Sequence, residues 1–318
     1  MRFQVSHHPE EGWHRIRLHD SHTGCSADII PEAGAILNAF SIPTTQGICN
    51  VMDGFSSFAD WKNRIEKGFH SAKLSPFVCR LKGSSFEWHG RTLSIQKFLL
   101  NGTAIHGILY DAPFQVIEEG IHEDFAEVEL KYAYRGDVAG FPFPYDCLIR
   151  YRLEDQQTLL VSTVVHNRGQ ESMPMADGWH PYFSFGGGIN GLMLQFHASQ
   201  MLEYDADILP TGRLLSQQEW KSPQTIGDRF LDNGFVLDKG HPSPACILSD
   251  PASGLRLSFL PEDAYPYLQI YTPPHRQSIA IELLSAAPDA FNNGMGLYTL
   301  APQEAKTFSL RYRLEQLG

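Results

Sequence analysis

Trp179-His180-Pro181-Tyr182-Phe183 places a histidine ahead of a proline, inside an aromatic cluster and between two stretches that read as strands. Histidine titrates near neutrality and can give or take a proton at physiological pH. Pro181 pushes the residue before it toward extended backbone. Three other segments supply partners: Ile105-His106-Gly107, Leu231-Asp232-Asn233 and Ile279-Ala280-Ile281-Glu282. With Arg80 they make two histidines, two carboxylates and one guanidinium. Such a set can move protons on a neutral polar substrate without any cofactor.

Each residue also has a plainer reading. In Ile279-Ala280-Ile281-Glu282-Leu283-Leu284, alternation puts Ile279, Ile281 and Leu283 on one face and Ala280, Glu282 and Leu284 on the other. Glu282 is then either a strand glutamate in water or a desolvated carboxylate that needs partners. His180 and His106 read equally as core histidines with satisfied rings. Trp179, Tyr182 and Phe183 read as sugar-stacking walls or as core. No GxSxG elbow, GxxxxGK[ST] loop, HxH or HExxH spacing occurs, so nothing in the linear order points to a metal.

The elements that must position these residues are strands. Val128, Leu130, Tyr132 and Tyr134 alternate with charged residues, as do Ile149, Tyr151 and Leu153, and Phe308, Leu310, Tyr312 and Leu314. A period of two describes strands with one face buried and one wet. Turn pairs such as His89-Gly90 and Asn101-Gly102 punctuate them. The best helical pattern spans Phe55 to Lys67, with Trp61 and Ile65 four residues apart. Strand–helix alternation is missing, which disfavours a parallel α/β fold. The expectation is an all-β chain: one large antiparallel β-sandwich domain over residues 1–318.

Bulk properties narrow the class of function. The net charge of −11 argues against nucleic acid and anionic membranes as partners. The five cysteines are scattered, odd in number and form no CxxC pair, so a reducing, cytoplasmic setting is expected. No apolar run is long enough to span a bilayer.

Taken in order, these segments resemble the aldose 1-epimerase (galactose mutarotase) family. The resemblance is carried by Cys79-Arg80-Leu81-Lys82-Gly83, Ile105-His106-Gly107, Gly178-Trp179-His180-Pro181-Tyr182-Phe183, Leu231-Asp232-Asn233-Gly234-Phe235, Gln269-Ile270-Tyr271-Thr272 and Glu282. It implies the family's supersandwich fold, with an open cleft on one concave sheet. It implies Glu282 as general base at the anomeric hydroxyl and His180 as general acid at the ring oxygen. His106 and Arg80 would bind and polarise the sugar, Asp232 and Gln269 would hold hydroxyls, and Trp179 and Phe183 would give apolar surface. Asp228 lies four residues from Asp232 as its rival. The implied activity is interconversion of the α and β anomers of an aldose, with no cofactor, as a monomer or homodimer whose partner is a small sugar. Cys79 stands where the family has asparagine, and Leu283-Leu284 follow the base. Two alternatives remain: a hexose 6-phosphate epimerase using Lys82 and Arg276, and a carbohydrate-binding protein without turnover.

Overall fold

The alternating patterns become three main antiparallel sheets in the computed structural model, which describes residues 1–317. The largest has nine strands, in spatial order Gln115–Ile121, Phe125–Tyr134, Tyr145–Glu154, Thr158–Asn167, Ala305–Gln316, Leu255–Pro261, Cys246–Asp250, Met193–Phe196 and Gln224–Thr225. The second has eight: Pro210–Ser216, Ala198–Tyr204, Asp232–Leu237, Tyr267–Tyr271, Ile279–Leu284, Gly178–His180 and Ala72–Leu74, with Tyr182–Phe183 paired beside Ile279–Leu284. A third, of five strands, is built from residues 3–50 in chain order.

The first two sheets pack face to face, as their apolar stripes require. From the eight-stranded sheet, Trp179 meets Tyr151 and Phe183 meets Phe259 and Tyr312 of the nine-stranded one, at centroid distances of 6.1, 5.2 and 5.8 Å. Such aromatic contacts add to the burial of large apolar areas. The turn signals also fold as read. Asn101-Gly102 closes the hairpin between Leu99–Leu100 and Thr103–Ile105 with φ of 51° and 79°. His89-Gly90 does the same between Ser85–Trp88 and Arg91–Ser94, at 49° and 73°. Two successive positive φ values match the twist of a two-residue hairpin.

The expected helix forms, but over Phe58–Gly68 rather than from Phe55. Ser57 sets the start, because its side chain accepts a hydrogen bond from the Asp60 N–H and caps the first turn. Trp61 and Ile65 form its buried stripe. It stops at Phe69, whose φ of 53° is left-handed, and this delivers the Phe69 ring to the edge of the second sheet. Among the described residues, no helix is long and apolar enough to cross a membrane.

One polar group lies deep between the sheets. Lys73 and Asp177 are both fully buried, with Nζ 2.6 Å from a carboxylate oxygen. The ammonium also donates to Thr163 Oγ1 at 3.1 Å and lies 4.5 Å from the Trp179 ring centre. Tyr265 donates its hydroxyl to Asp177 at 2.6 Å. The Asp177 N–H donates to Ser285 Oγ and the Ser285 N–H donates back to the Asp177 carbonyl, each at 2.8 Å. Charges can be buried this deeply when they are paired and hydrogen-bonded.

Candidate active site

The opposite face of the eight-stranded sheet carries a polar cleft of about 220 Å³. Strand register determines what enters it. Gln269 and Glu282 are direct partners across neighbouring strands and therefore share a face. Asp232 comes from the next strand and accepts a hydrogen bond from Gln269 Nε2 at 2.9 Å. Gln269 Oε1 in turn accepts from Tyr204 Oη at 2.9 Å. Gly234 makes this chain possible, since a Cβ there would lie 2.2 Å from the Tyr204 hydroxyl.

His106 reaches the cleft from a strained turn. It has φ of 61°, and its N–H donates to the carbonyl of Cys79, itself at φ 50°. Left-handed backbone is uncommon for residues with a Cβ and has to be held by its surroundings. The next residue must be glycine, because a Cβ on Gly107 would lie 2.5 Å from the Ser75 backbone. The His106 ring then stands edge-on to His180, centroids 4.6 Å apart, and packs on Phe69 at 4.7 Å. His180 Nε2 lies 3.4 Å from Glu282 Oε1. The three groups converge, each offering a donor atom within 4.8 Å of the others. The Nδ1 atoms of both histidines and Glu282 Oε2 are buried with no hydrogen-bond partner among the described residues.

Burial dominates the electrostatics. It pushes the Glu282 carboxyl well above its ordinary range, assisted by the charge of Asp232 and opposed by Arg80. Asp232 is raised as well, by burial, against Arg80 and the Gln269 hydrogen bond. Burial lowers His180 to about 3, with His70 adding to the effect. His106 is lowered well below its usual value by burial, then by His180 and Arg80. Each shift disfavours the charged form, the expected sign for desolvated groups. Arg80 lines the cleft and, among the described residues, forms no ion pair.

The structure thus brings Arg80, His106, His180, Asp232, Gln269 and Glu282 to one cleft. Trp179 is a correction. It is 4% exposed and faces the inter-sheet core, where it touches Tyr151 and the Lys73 ammonium. Phe183 likewise packs on Phe259 and Tyr312. The reason is the two-residue period: His180 and Tyr182 share the cleft face, so Trp179 and Phe183 must share the other. Tyr182 is the aromatic wall, stacked on His180 at 5.1 Å. Lys82 does not follow Arg80 into the cleft, because the chain turns into a 3₁₀ segment at Lys82–Ser84 and leaves its side chain exposed. Arg276 is spent on Asn190 Oδ1 and the carbonyls of Arg229 and Gly227. Asp228 is exposed and is not among the residues lining the cleft. Alternation could have named Tyr182. Tyr204 and Phe69 carry no motif and enter through long-range packing.

A large antiparallel β-sandwich with a polar, histidine-bearing cleft on one sheet is the galactose mutarotase-like class of fold. A profile of the aldose 1-epimerase family matches residues 14–313. The chain belongs to the aldose 1-epimerase family and is an isomerase. It is 24% identical to an aldose 1-epimerase of Streptococcus thermophilus, covering 70% of this chain and 67% of that protein. It is 25% identical to the uncharacterized protein YphB of Escherichia coli K12, over 77% of this chain and 83% of the relative. In three dimensions it superposes on a galactose mutarotase-like protein of Clostridium acetobutylicum with a TM-score of 0.87, 19% identity and 99% coverage of both chains, a shared fold.

Proposed function

We propose that this chain interconverts the α and β anomers of a neutral aldose by acid/base ring opening and closure. The observation that carries the reading is the His180–Glu282 pair, 3.4 Å apart at the base of a cleft rimmed by hydroxyl-binding groups. Glu282 takes the proton from the anomeric hydroxyl while His180 gives one to the ring oxygen. The C1–O5 bond breaks, its electron pair stays on O5, and C1 becomes an aldehyde. Rotation about C1–C2 exposes the other face, and the reverse transfers close the ring. Arg80 and His106 polarise the sugar, and Asp232 and Gln269 fix its hydroxyls. Each positioned proton transfer contributes about 10²–10⁴-fold.

The pair's charge is the same before and after opening: carboxylate plus imidazolium becomes carboxylic acid plus imidazole. One proton is therefore shared throughout. Burial by itself favours the uncharged arrangement. Sugar hydroxyls and Arg80 stabilise the carboxylate when substrate binds, which passes the proton to His180. Polarimetry or NMR exchange on glucose, galactose and mannose tests the reading. Clear binding with only spontaneous exchange on every sugar would favour a binding protein.

A pH prediction follows from the shared proton. Below the His180 value of about 3 the pair holds two protons and the base is lost. Above the raised Glu282 value it holds none and the acid is lost. An unperturbed His180 acid would give an alkaline limb at 6.5 and an unperturbed Glu282 base an acid limb at 4.5; with the proton shared, the acid limb of kcat/KM moves below 4.5, toward the His180 value of about 3. The rate kcat/KM should not fall as pH is lowered from roughly 6 to 4, where an unperturbed glutamate base would lose about fourfold. A fall of about fourfold across that range, in protein still folded by circular dichroism, contradicts the shared-proton scheme.

The small number of cationic side chains in the lining favours a neutral sugar. Glu66, Asp232 and Glu282 outnumber Arg80 and Lys67 there. A phosphate site gathers several cationic or N–H donors. The ratio of kcat/KM for glucose 6-phosphate to that for glucose should fall below one. A ratio far above one that collapses in Lys67→Ala would assign the phosphate ester instead.

A further inference from the structure

We infer that His106, His180 and Glu282 also form a binding site for a borderline-soft divalent cation, Zn²⁺ being the type case, which excludes the sugar from the cleft. The donor set is two imidazoles and a carboxylate, each buried and each within 4.8 Å of the others. That is the three-ligand pattern of an open zinc site, with the fourth position left to solvent. Bonds of 2.0–2.1 Å in tetrahedral geometry put donors about 3.3 Å apart, so modest side-chain rotations complete the site. Among the described residues Glu282 Oε2 and the two histidine Nδ1 atoms have no hydrogen-bond partner, and the close contact of His180 Nε2 with Glu282 Oε1 joins two of the proposed ligands. The lining beside the cluster offers the carboxyl groups of Glu282 and Asp232 against the one guanidinium of Arg80.

The same structure bounds identity and strength. Mg²⁺ and Ca²⁺ require shells of oxygen, and this cluster offers one carboxylate. Imidazole favours zinc, copper and nickel. Zinc-binding histidines usually donate their second N–H to an acceptor, and loss of such support weakens binding roughly 10–100-fold. Neither His106 nor His180 has an Nδ1 partner. The cation is therefore a reversible inhibitor rather than a resident cofactor, and its competition with sugar rests on the reading above that sugar uses this cleft.

The test is calorimetric titration of chelator-treated protein with ZnCl₂, with and without an aldohexose that binds, alongside MgCl₂. One Zn²⁺ per chain is expected, weakened at least tenfold by saturating sugar and lost in His106→Ala, with no Mg²⁺ binding. The surface pair His7 and His14, stacked at 5.8 Å, is the obvious background site. Zinc heat that survives His106→Ala and ignores sugar would assign binding there and overturn the inference. Should His106→Ala fail to fold, Co²⁺ absorption on the unmodified protein decides. A nitrogen-rich tetrahedral spectrum that is bleached by sugar or lost in Glu282→Gln supports the cleft site, and one unmoved by both removes it. Sugar turnover with no zinc binding refutes the cation site and leaves the epimerase reading intact. Zinc lost in His106→Ala but indifferent to sugar keeps the cation site and refutes the placement of the sugar.

Discussion

Glu282→Gln is expected to lower kcat by about 10²-fold or more while sugar affinity changes little, because general acid/base groups supply 10²–10⁴-fold. Glutamine keeps the shape of the side chain and removes its capacity to accept a proton. The fold should tolerate the change. Glu282 is 2% exposed, one of its oxygens has no partner, and burial already disfavours its charge. A fall in kcat and kcat/KM together, with unchanged binding, is the signature of an interaction made in the transition state. His180→Asn should show the same signature. The double variant should lose far less than the product of the two, since both residues serve one step. NMR exchange spectroscopy between anomers measures the rate, and calorimetry measures the affinity. Near-normal kcat in Glu282→Gln would move the base assignment to Asp232, which lines the same cleft and is hydrogen-bonded to Gln269.

Asp177→Asn is expected to cost about 3–5 kcal/mol of stability, the usual penalty for breaking a buried ion pair from one side. The ammonium of Lys73 is fully buried, and Thr163, the Gly178 carbonyl and the Trp179 ring cannot replace the lost charge. Asparagine also weakens the acceptor for the Tyr265 hydroxyl. Urea unfolding should show a lower midpoint at an unchanged slope. The double variant Lys73→Met/Asp177→Asn should recover most of the loss, because a pair replaced on both sides leaves no uncompensated charge. A single variant within 1 kcal/mol of the parent would mean that water reaches Lys73.

The sequence displayed the antiparallel architecture wherever one strand face is wet. In Phe125–Tyr134 and Tyr145–Glu154 apolar and charged residues alternate, and each strand folds as its period demands. Strand Ile279–Leu284 is harder to read, since all six residues are buried and periodicity alone cannot say which face holds the cleft. Glu282 marked that face because a charged residue in an apolar run needs a reason. Trp179 misleads because proximity to His180 along the chain means opposition across the sheet. Tyr204 was invisible for another reason. Its role depends on Gln269, 65 residues away, and on the missing side chain of Gly234. Lys73 and Asp177 lie 104 residues apart, and neither looks unusual until the strands bring them together.

Cys79 lines the cleft beside Glu282 and Arg80, in a position where a reactive thiol would be a liability. Alkylation and oxidation both proceed through the thiolate. Burial, and then the charge of Glu282, hold the Cys79 thiol well above its ordinary value of 9.0. Cys25 and Cys147 are pushed up to about 12, and Cys49 and Cys246 are raised as well. Burial thus biases all five cysteines toward the protonated thiol. A cleft built to disfavour charge on its carboxylate also passivates the sulfur next to it, so this isomerase should keep working through peroxide exposure that inactivates enzymes with activated thiols.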